Sequence, residues 1–361
     1  MKREELLDTL KLAAPALLSD NEVVLPILKS FWFTGTHVIA SNDVIATCLS
    51  VNAFEKVIVP GKKLTGFLSA CNTKEVKLAI SKKGNLIIRC GSSKLLLSSL
   101  PDEEWPFEFP DVEQAISLTV GESFFTAIEM CSSQSPDTGL GSWIGGIILT
   151  FGASLGVYGV GRGRSTISHF DVHDLKSRSR KLLGVLRKKN KQISIPSSFC
   201  KAAVPMSKEF GMSAKLHINE DSVVLDWGDG ENVIVGKLIN VEMPNIVGKF
   251  EETVSEELDF IPITEDLAAA LKRANTIGDE GTCHITSEET GILFHTRSKD
   301  GTSLKDLVDF KDGENTSDIS AKIAADLIIK QLDKCEEISF GSNTTVMRSK
   351  SGDFIYVVAN R

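Results

Sequence analysis

The segment His169-Phe170-Asp171-Val172-His173-Asp174 gathers imidazoles and carboxylates at a spacing that could ligate a metal. In a β-strand, residues 169, 171 and 173 fall on one face, so two histidines and a carboxylate would point the same way. A zinc site wants a cysteine or a further well-spaced ligand, and none accompanies this motif. No metal or other cofactor is therefore assigned. Asp226 and Asp229 suggest a second chemistry, divalent-metal-dependent cleavage of nucleic acid, which is the enzymatic alternative. Nucleotide hydrolysis is not expected, because Gly61-Lys62-Lys63 lacks the hydroxyl and the earlier glycine of a phosphate-binding loop. The glycines of Gly139–Gly146 have the wrong spacing for a dinucleotide loop, and no serine-nucleophile elbow is expected.

The remaining chemistry is phosphate binding by cations. The chain carries 40 basic and 48 acidic residues, a net charge of -8, which alone argues against nucleic acid. The distribution argues the other way. Residues 176–191, KSRSRKLLGVLRKKNK, hold eight basic residues and no acidic one; without them 32 basic residues face 48 acidic ones, a net of -16. An acidic body with localised positive charge selects where a polyanion goes.

The elements that would position these cations form an internal repeat. Six helical patterns alternate with runs of short strands, at 2–18, 57–71, 120–131, 193–211, 263–275 and 318–335. A proline opens two of them, where its missing N–H is harmless, and Ser320 could cap the last. Helix, strands, helix, strands recurs three times. This predicts an α+β fold of three tandem domains, 1–110, 111–254 and 255–361, with breaks near Trp105–Asp111 and Glu251–Glu257. At 42% apolar residues, each domain can bury a core. The seven cysteines are odd in number and form no Cys-x-x-Cys pair, so free thiols in a reducing cytoplasm are expected. No apolar stretch reaches the length of a membrane span.

Lys2, Arg3, Lys62, Lys63, Lys201, Lys208, Lys272, Arg273, Lys322 and Lys330 all fall on or beside these helices. For any single helix, a solvated face explains them. Their recurrence at equivalent places in a repeat points to one shared positive surface.

Four stretches, in order, resemble the bacterial-type DNA sliding clamp, the β subunit of the replicative polymerase. They are VVLPILKSFWF (23–33), VIVPGKKL (57–64), IRCGSSKLLLSSLPDEEWPF (88–107) and FIYVVANR (354–361). The resemblance implies a non-enzymatic ring of two subunits that encircles duplex DNA without reading its sequence. It also implies partners in a replicative polymerase and a clamp loader, no membrane, and helices around the hole. A partner-peptide pocket is implied at Leu155, Val160, Arg164, Pro244, Val247, Val358 and Ala359. A dimer interface is implied at Leu95 and Leu97 against Thr276 and Ile277. Two departures stand out. The third helix carries Glu122 and Glu129 and no cation, and the basic run 176–191 replaces a short loop. Arg187, Lys188 and Lys189 are expected to restore DNA contact there. The divergence suggests a bacteriophage or atypical bacterial source. A clamp-like scaffold that closes differently is a further alternative.

Overall fold

A computed structural model describes the chain outside residues 19–24, 53–54, 102–104, 106, 137–144, 153, 162–165, 176–191, 229, 242–243, 256–257, 310–318 and 361. The helices are α1 (Arg3–Ala13), α2 (Gly61–Ala70), α3 (Glu122–Ser132), α4 (Ser197–Phe210), α5 (Ile246–Val254), α6 (Glu265–Ile277) and α7 (Ala325–Ile328). They pack as pairs, α1 with α2, α3 with α4, and α6 with α7. Each pair buries one apolar stripe against sheets. On α4, Phe199, Ala203 and Met206 are fully buried while Lys201 and Lys208 stay exposed. Gly211 ends that helix at φ +106, a conformation a side chain would resist. Thr264 caps α6 by accepting the backbone N–H of Leu267 at 3.2 Å.

Two eight-stranded antiparallel sheets join successive repeats. The first runs Val57–Pro60, Ser30–Phe33, His37–Ser41, Ile45–Ser50, then Asn232–Lys237, Ser222–Trp227, Ala214–Ile218 and Ile116–Val120. Its seam pairs Thr47 with Ile234. The second runs Gln192–Pro196, Gly146–Phe151, Leu155–Val160, Thr166–Val172, then Phe354–Ala359, Thr344–Arg348, Glu337–Phe340 and Ile261–Pro262. Its seam pairs Ser168 with Tyr356.

Two smaller sheets remain at the two ends of the chain. One has three strands, Lys77–Ile80, Leu86–Cys90 and Ser93–Leu97; the other has four, in the order Ser303–Asp309, Gly291–Arg297, Thr282–Glu288 and Ser320–Ala324. By position in the repeat, Ser93–Leu97 corresponds to the seam strands Asn232–Lys237 and Phe354–Ala359. Likewise Ser303–Asp309 corresponds to Ile45–Ser50 and Thr166–Val172. Neither has a strand partner on its outer side among the described residues.

The outward faces of the two internal seams are apolar and covered. Phe107 and Val112, from the stretch between the first two repeats, lie over Ala46, Val224, Val233 and Val235. Ile246 and Phe250 of α5 lie over Tyr158, Val160, Val346 and Val357. Near the expected break at Glu251–Glu257 the chain is helical as far as Val254.

The last helical pattern is also corrected. Residues 320–324 form a strand, and only one helical turn and a 3-10 turn (Ile329–Gln331) follow. Ser320 caps no helix; it pairs with Thr286. The expectation of free cysteines fails at one place, where Cys71 at the end of α2 and Cys90 are joined sulfur to sulfur.

Candidate nucleic-acid interface and partner surface

The helix faces turned from the sheets carry the predicted cations, which differ in the contacts they make. Lys62, Lys63, Lys201, Lys208, Lys272, Arg273 and Lys330 are exposed. Lys2 is exposed and pairs with Glu5 at 2.5 Å. Arg3 is committed elsewhere. Its guanidinium donates to the Cys71 and Leu68 carbonyls at 2.6 and 3.3 Å, capping α2, and its side chain is only 17% exposed. That takes Arg3 out of the set able to meet phosphate. Arg273 Nε holds Asp306 Oδ2 at 2.7 Å. Lys322 leaves the helix set altogether, because it points outward from a strand opposite His284.

The acidic third helix is answered by its neighbours. Lys208 reaches Glu129 at 3.0 Å, Lys201 donates to the Ser135 carbonyl at 3.0 Å, and Lys334 donates to Ser133 Oγ at 3.3 Å. Three lysines thus gather around the C-terminal end of α3, where the helix dipole also favours cations. The convergence is invisible in sequence, because Lys334 comes from the last repeat. Arg187, Lys188 and Lys189 lie outside the described residues, as does Arg164.

The expected partner pocket divides between two faces. Leu155 and Val358 are fully buried in the core on the helix side, so neither can line a surface pocket. Strand alternation sends them inward. Val160 and Val247 belong to the opposite, outward cluster with α5, where Val160 is itself fully buried; Pro244 lies at the entry to α5, and Ala359 is exposed. Leu95 and Leu97 sit on the open-edged strand Ser93–Leu97, facing the core. Thr276 and Ile277 are at the end of α6, a helix that packs on the other open-edged strand, rather than on a strand themselves.

The motifs that suggested enzymatic chemistry have structural roles. His169 stacks with Tyr158 at 4.3 Å and Phe250 at 5.0 Å between ring centroids. Burial holds it below the ordinary histidine range, partly opposed by Asp171. His173 binds Asp353 at 2.9 Å, and Asp174 accepts the Ser123 backbone N–H at 3.0 Å, capping α3. Among the described residues, no group of three or more His, Cys, Asp or Glu could hold a metal.

Gly152-Ala153-Ser154-Leu155-Gly156 does carry the letters of a nucleophile elbow, contrary to expectation. It lies between two antiparallel strands instead of a strand and a helix, and Ser154 donates to Asp171 at 2.7 Å. Ser117, His217 and Asp226 also come together. Ser117 Oγ meets His217 Nδ1 at 2.7 Å, but His217 Nε2 stands 4.0 Å from Asp226, beyond hydrogen-bond reach. Burial pushes His217 down, and Asp226 accepts the Gly230 N–H at 2.8 Å. The nuclease alternative gains nothing from this arrangement; Asp229 lies outside the described residues. Burial also pushes the Cys131 thiol up to about 12 and Cys283 to about 11, so both stay protonated.

Three repeats of paired helices, joined by shared sheets and carrying cations on their helix side, define the sliding-clamp fold. Comparison with known proteins agrees. Residues 1–110 match the family described as "DNA polymerase III beta subunit, N-terminal domain". The first repeat is therefore similar to that family, and the whole chain has the fold of the bacterial clamps. The DNA polymerase III beta subunit of Thermotoga maritima superposes with a TM-score of 0.83 at 16% identity, covering 100% of this chain and 98% of that one. The sliding clamp of Pseudomonas aeruginosa bound to griselimycin gives 0.82 at 14%, with the same coverages. The sliding clamp of Bacillus subtilis gives 0.81 at 11%, again with the same coverages. No curated protein sequence matches significantly. Among the described residues, no helix is long and apolar enough to cross a membrane.

Proposed function

We propose that the protein is a DNA polymerase processivity factor, a sliding clamp that closes as a homodimeric ring around duplex DNA and catalyses no reaction. The observation that carries this is the pair of open edges. Two seams are closed within the chain, and among the described residues the unmatched seam strands, Ser93–Leu97 and Ser303–Asp309, lie in the first and last repeats. A head-to-tail copy supplies the missing partner to each, and two such seams close the ring. The domains 1–110, 111–254 and 255–361 then act as three equivalent arcs of each subunit.

Lys2, Lys62, Lys63, Lys201, Lys208, Lys272, Arg273 and Lys330 form the inner contact set, with Arg187, Lys188 and Lys189 supplementing the acidic arc. Phosphates are sequence-independent targets, so such contacts permit sliding. Closure, not affinity, supplies retention. The polymerase and the clamp loader dock on the outward surface around Pro244, Val247 and Ala359, beside α5.

The test is topological. The protein loaded on nicked circular DNA should stay bound through gel filtration and be released when that DNA is linearised. Equal release from both forms would exclude a ring.

A further inference from the structure

The internal seams bury their outward faces under chain that links the repeats. The open edges have no such cover, and their outward faces are built differently. On the four-stranded sheet, Lys322 stands opposite His284, His284 opposite His295, and His295 opposite Lys305. All four are exposed. On the three-stranded sheet, Lys77 stands opposite Arg89 and Arg89 opposite Lys94, again all exposed. Their neighbours along each strand, such as Cys283, Ile285, Phe294 and Ile88, point into the core, which fixes both rows on the outward side.

Like charges directly opposite one another on adjacent strands, as along Lys77, Arg89 and Lys94, destabilise a sheet. Solvation alone needs polar residues, not one sign, and acidic residues outnumber basic ones in this chain. Among the described residues, no carboxylate pairs with any of the seven. The acidic residues on this face of the larger sheet, Glu288 and Asp309, flank Gly291 about 13 Å further along the strands. A trough of about 700 Å³ runs beside the row, bordered by Arg297 and Lys299 as well as His284, His295, Lys305 and Lys322. Asp279 also borders it, and accepts the backbone N–H of Lys299 at 2.6 Å.

We propose that these two rows bind the phosphate backbone of a nucleic-acid strand lying across the outside of the subunit seam. Both internal seams keep the same face outward in their two halves, so closing the third seam sets the two rows on one surface. At about 4.8 Å per strand, the seven positions, five lysines or arginines and two histidines, then span roughly 29 Å. That length suits an extended backbone. A ring with an inner and an outer phosphate track can hold one strand at the seam while duplex passes through the hole. Continuity of the rows rests on the ring proposed above; the binding capacity of each row does not.

The experiment uses the full chain and a fluorescent oligothymidylate, which is linear and cannot be trapped topologically. The parent should bind it with an affinity that falls as salt rises, by about 0.7 in log–log slope per phosphate contacted. The variant carrying Lys77→Glu, Arg89→Glu, His284→Glu and His295→Glu should lose about tenfold or more in affinity and show a flatter slope. None of these four lies on Ser93–Leu97 or Ser303–Asp309, the strands that would form the seam. The variant should therefore sediment like the parent and stay on nicked circles. A second variant, with Lys77→Arg, His284→Lys and His295→Lys, should retain binding. Inorganic polyphosphate at equal phosphate concentration should compete less well than the oligomer. Unchanged binding by the reversal variant overturns the proposal, as does loss of the ring together with binding, which would mark the rows as structural. Equal competition by polyphosphate overturns the nucleic-acid assignment. A monomeric parent that still loses oligomer binding on reversal would remove the seam but keep the rows.

Discussion

Lys208 Nζ stands 3.0 Å from Glu129 Oε1, so α4 offsets one of the two carboxylates of α3 within a single helix pair. Both side chains are more than half exposed, and such a pair adds little to stability. Its consequence is electrostatic: the middle arc offers DNA one lysine fewer than its composition suggests. Glu129→Gln should leave the urea midpoint unchanged and tighten duplex binding. The log–log salt slope should steepen by about 0.9 if Lys208 gains one phosphate. A slope equal to the parent's would mean that Lys208 does not face DNA.

The basic run supplies the companion prediction. Arg187, Lys188 and Lys189 changed together to Glu should weaken association with, or loading onto, DNA. Loading kinetics on nicked plasmid read this directly, and parent-like kinetics would assign the run no part in DNA contact.

Stability should depend on pH through His169 and His217. Burial is the leading cause that holds both below the ordinary value of 6.5. The unfolded chain therefore binds protons that the folded chain refuses. Stability is full above about 6.5 and falls as the pH drops below it, toward the lowered folded values. His169→Phe keeps the ring stack with Tyr158 and Phe250 while removing one titrating group. Its melting temperature should decline less steeply than the parent's between neutral and mildly acidic pH. An identical decline would shift the effect to other groups.

Much of this architecture can be read from residue order, and the failures have physical causes. Amphipathic spacing located five helices, because one buried stripe such as Phe199, Ala203 and Met206 repeats at the helical period. It misplaced the sixth. Ser320, Ala321, Lys322 and Ile323 alternate exposed and buried as a strand does, but the apolar residues after them blur the period. Completing the four-stranded sheet decided the outcome. Lys322 consequently moved from the inner surface to the outer. The pocket residues Leu155 and Val358 failed for a related reason: a shift of one residue along a strand reverses the face. Sheet fusion across repeats, and the gathering of Lys334 with α3, depend on tertiary contacts that no local pattern encodes.

Gly236 marks where the first seam meets α4. A Cβ there would come within 2.8 Å of the Phe199 ring, which is fully buried. Phe199 anchors α4, and Gly236 pairs with Ile45 across the seam, so neither can yield freely. Gly236→Ala should cost about 1–3 kcal/mol by overpacking. Urea unfolding followed by tryptophan fluorescence measures it; a midpoint within error of the parent's would show that the ring can move aside.

The open edges give the most direct test of assembly. Leu96 is 56% exposed and Leu307 47%, and each lies on the outward side of a strand whose other edge is open. An exposed apolar residue on an open edge invites association, and a charge there blocks it. Because both leucines face solvent in the single chain, Leu307→Asp should change the unfolding free energy by less than about 0.5 kcal/mol. Assembly should respond differently. The carboxylate would be set into a seam of backbone pairing and apolar contact, where it would have to shed water without a partner. The variant should sediment with the mass of one subunit where the parent sediments with the mass of two. It should also leave nicked circles as fast as linear DNA, while Leu307→Ile behaves as the parent does. A dimer of unchanged mass with parent-like retention would mean that the ring closes through some other surface than Ser93–Leu97 and Ser303–Asp309.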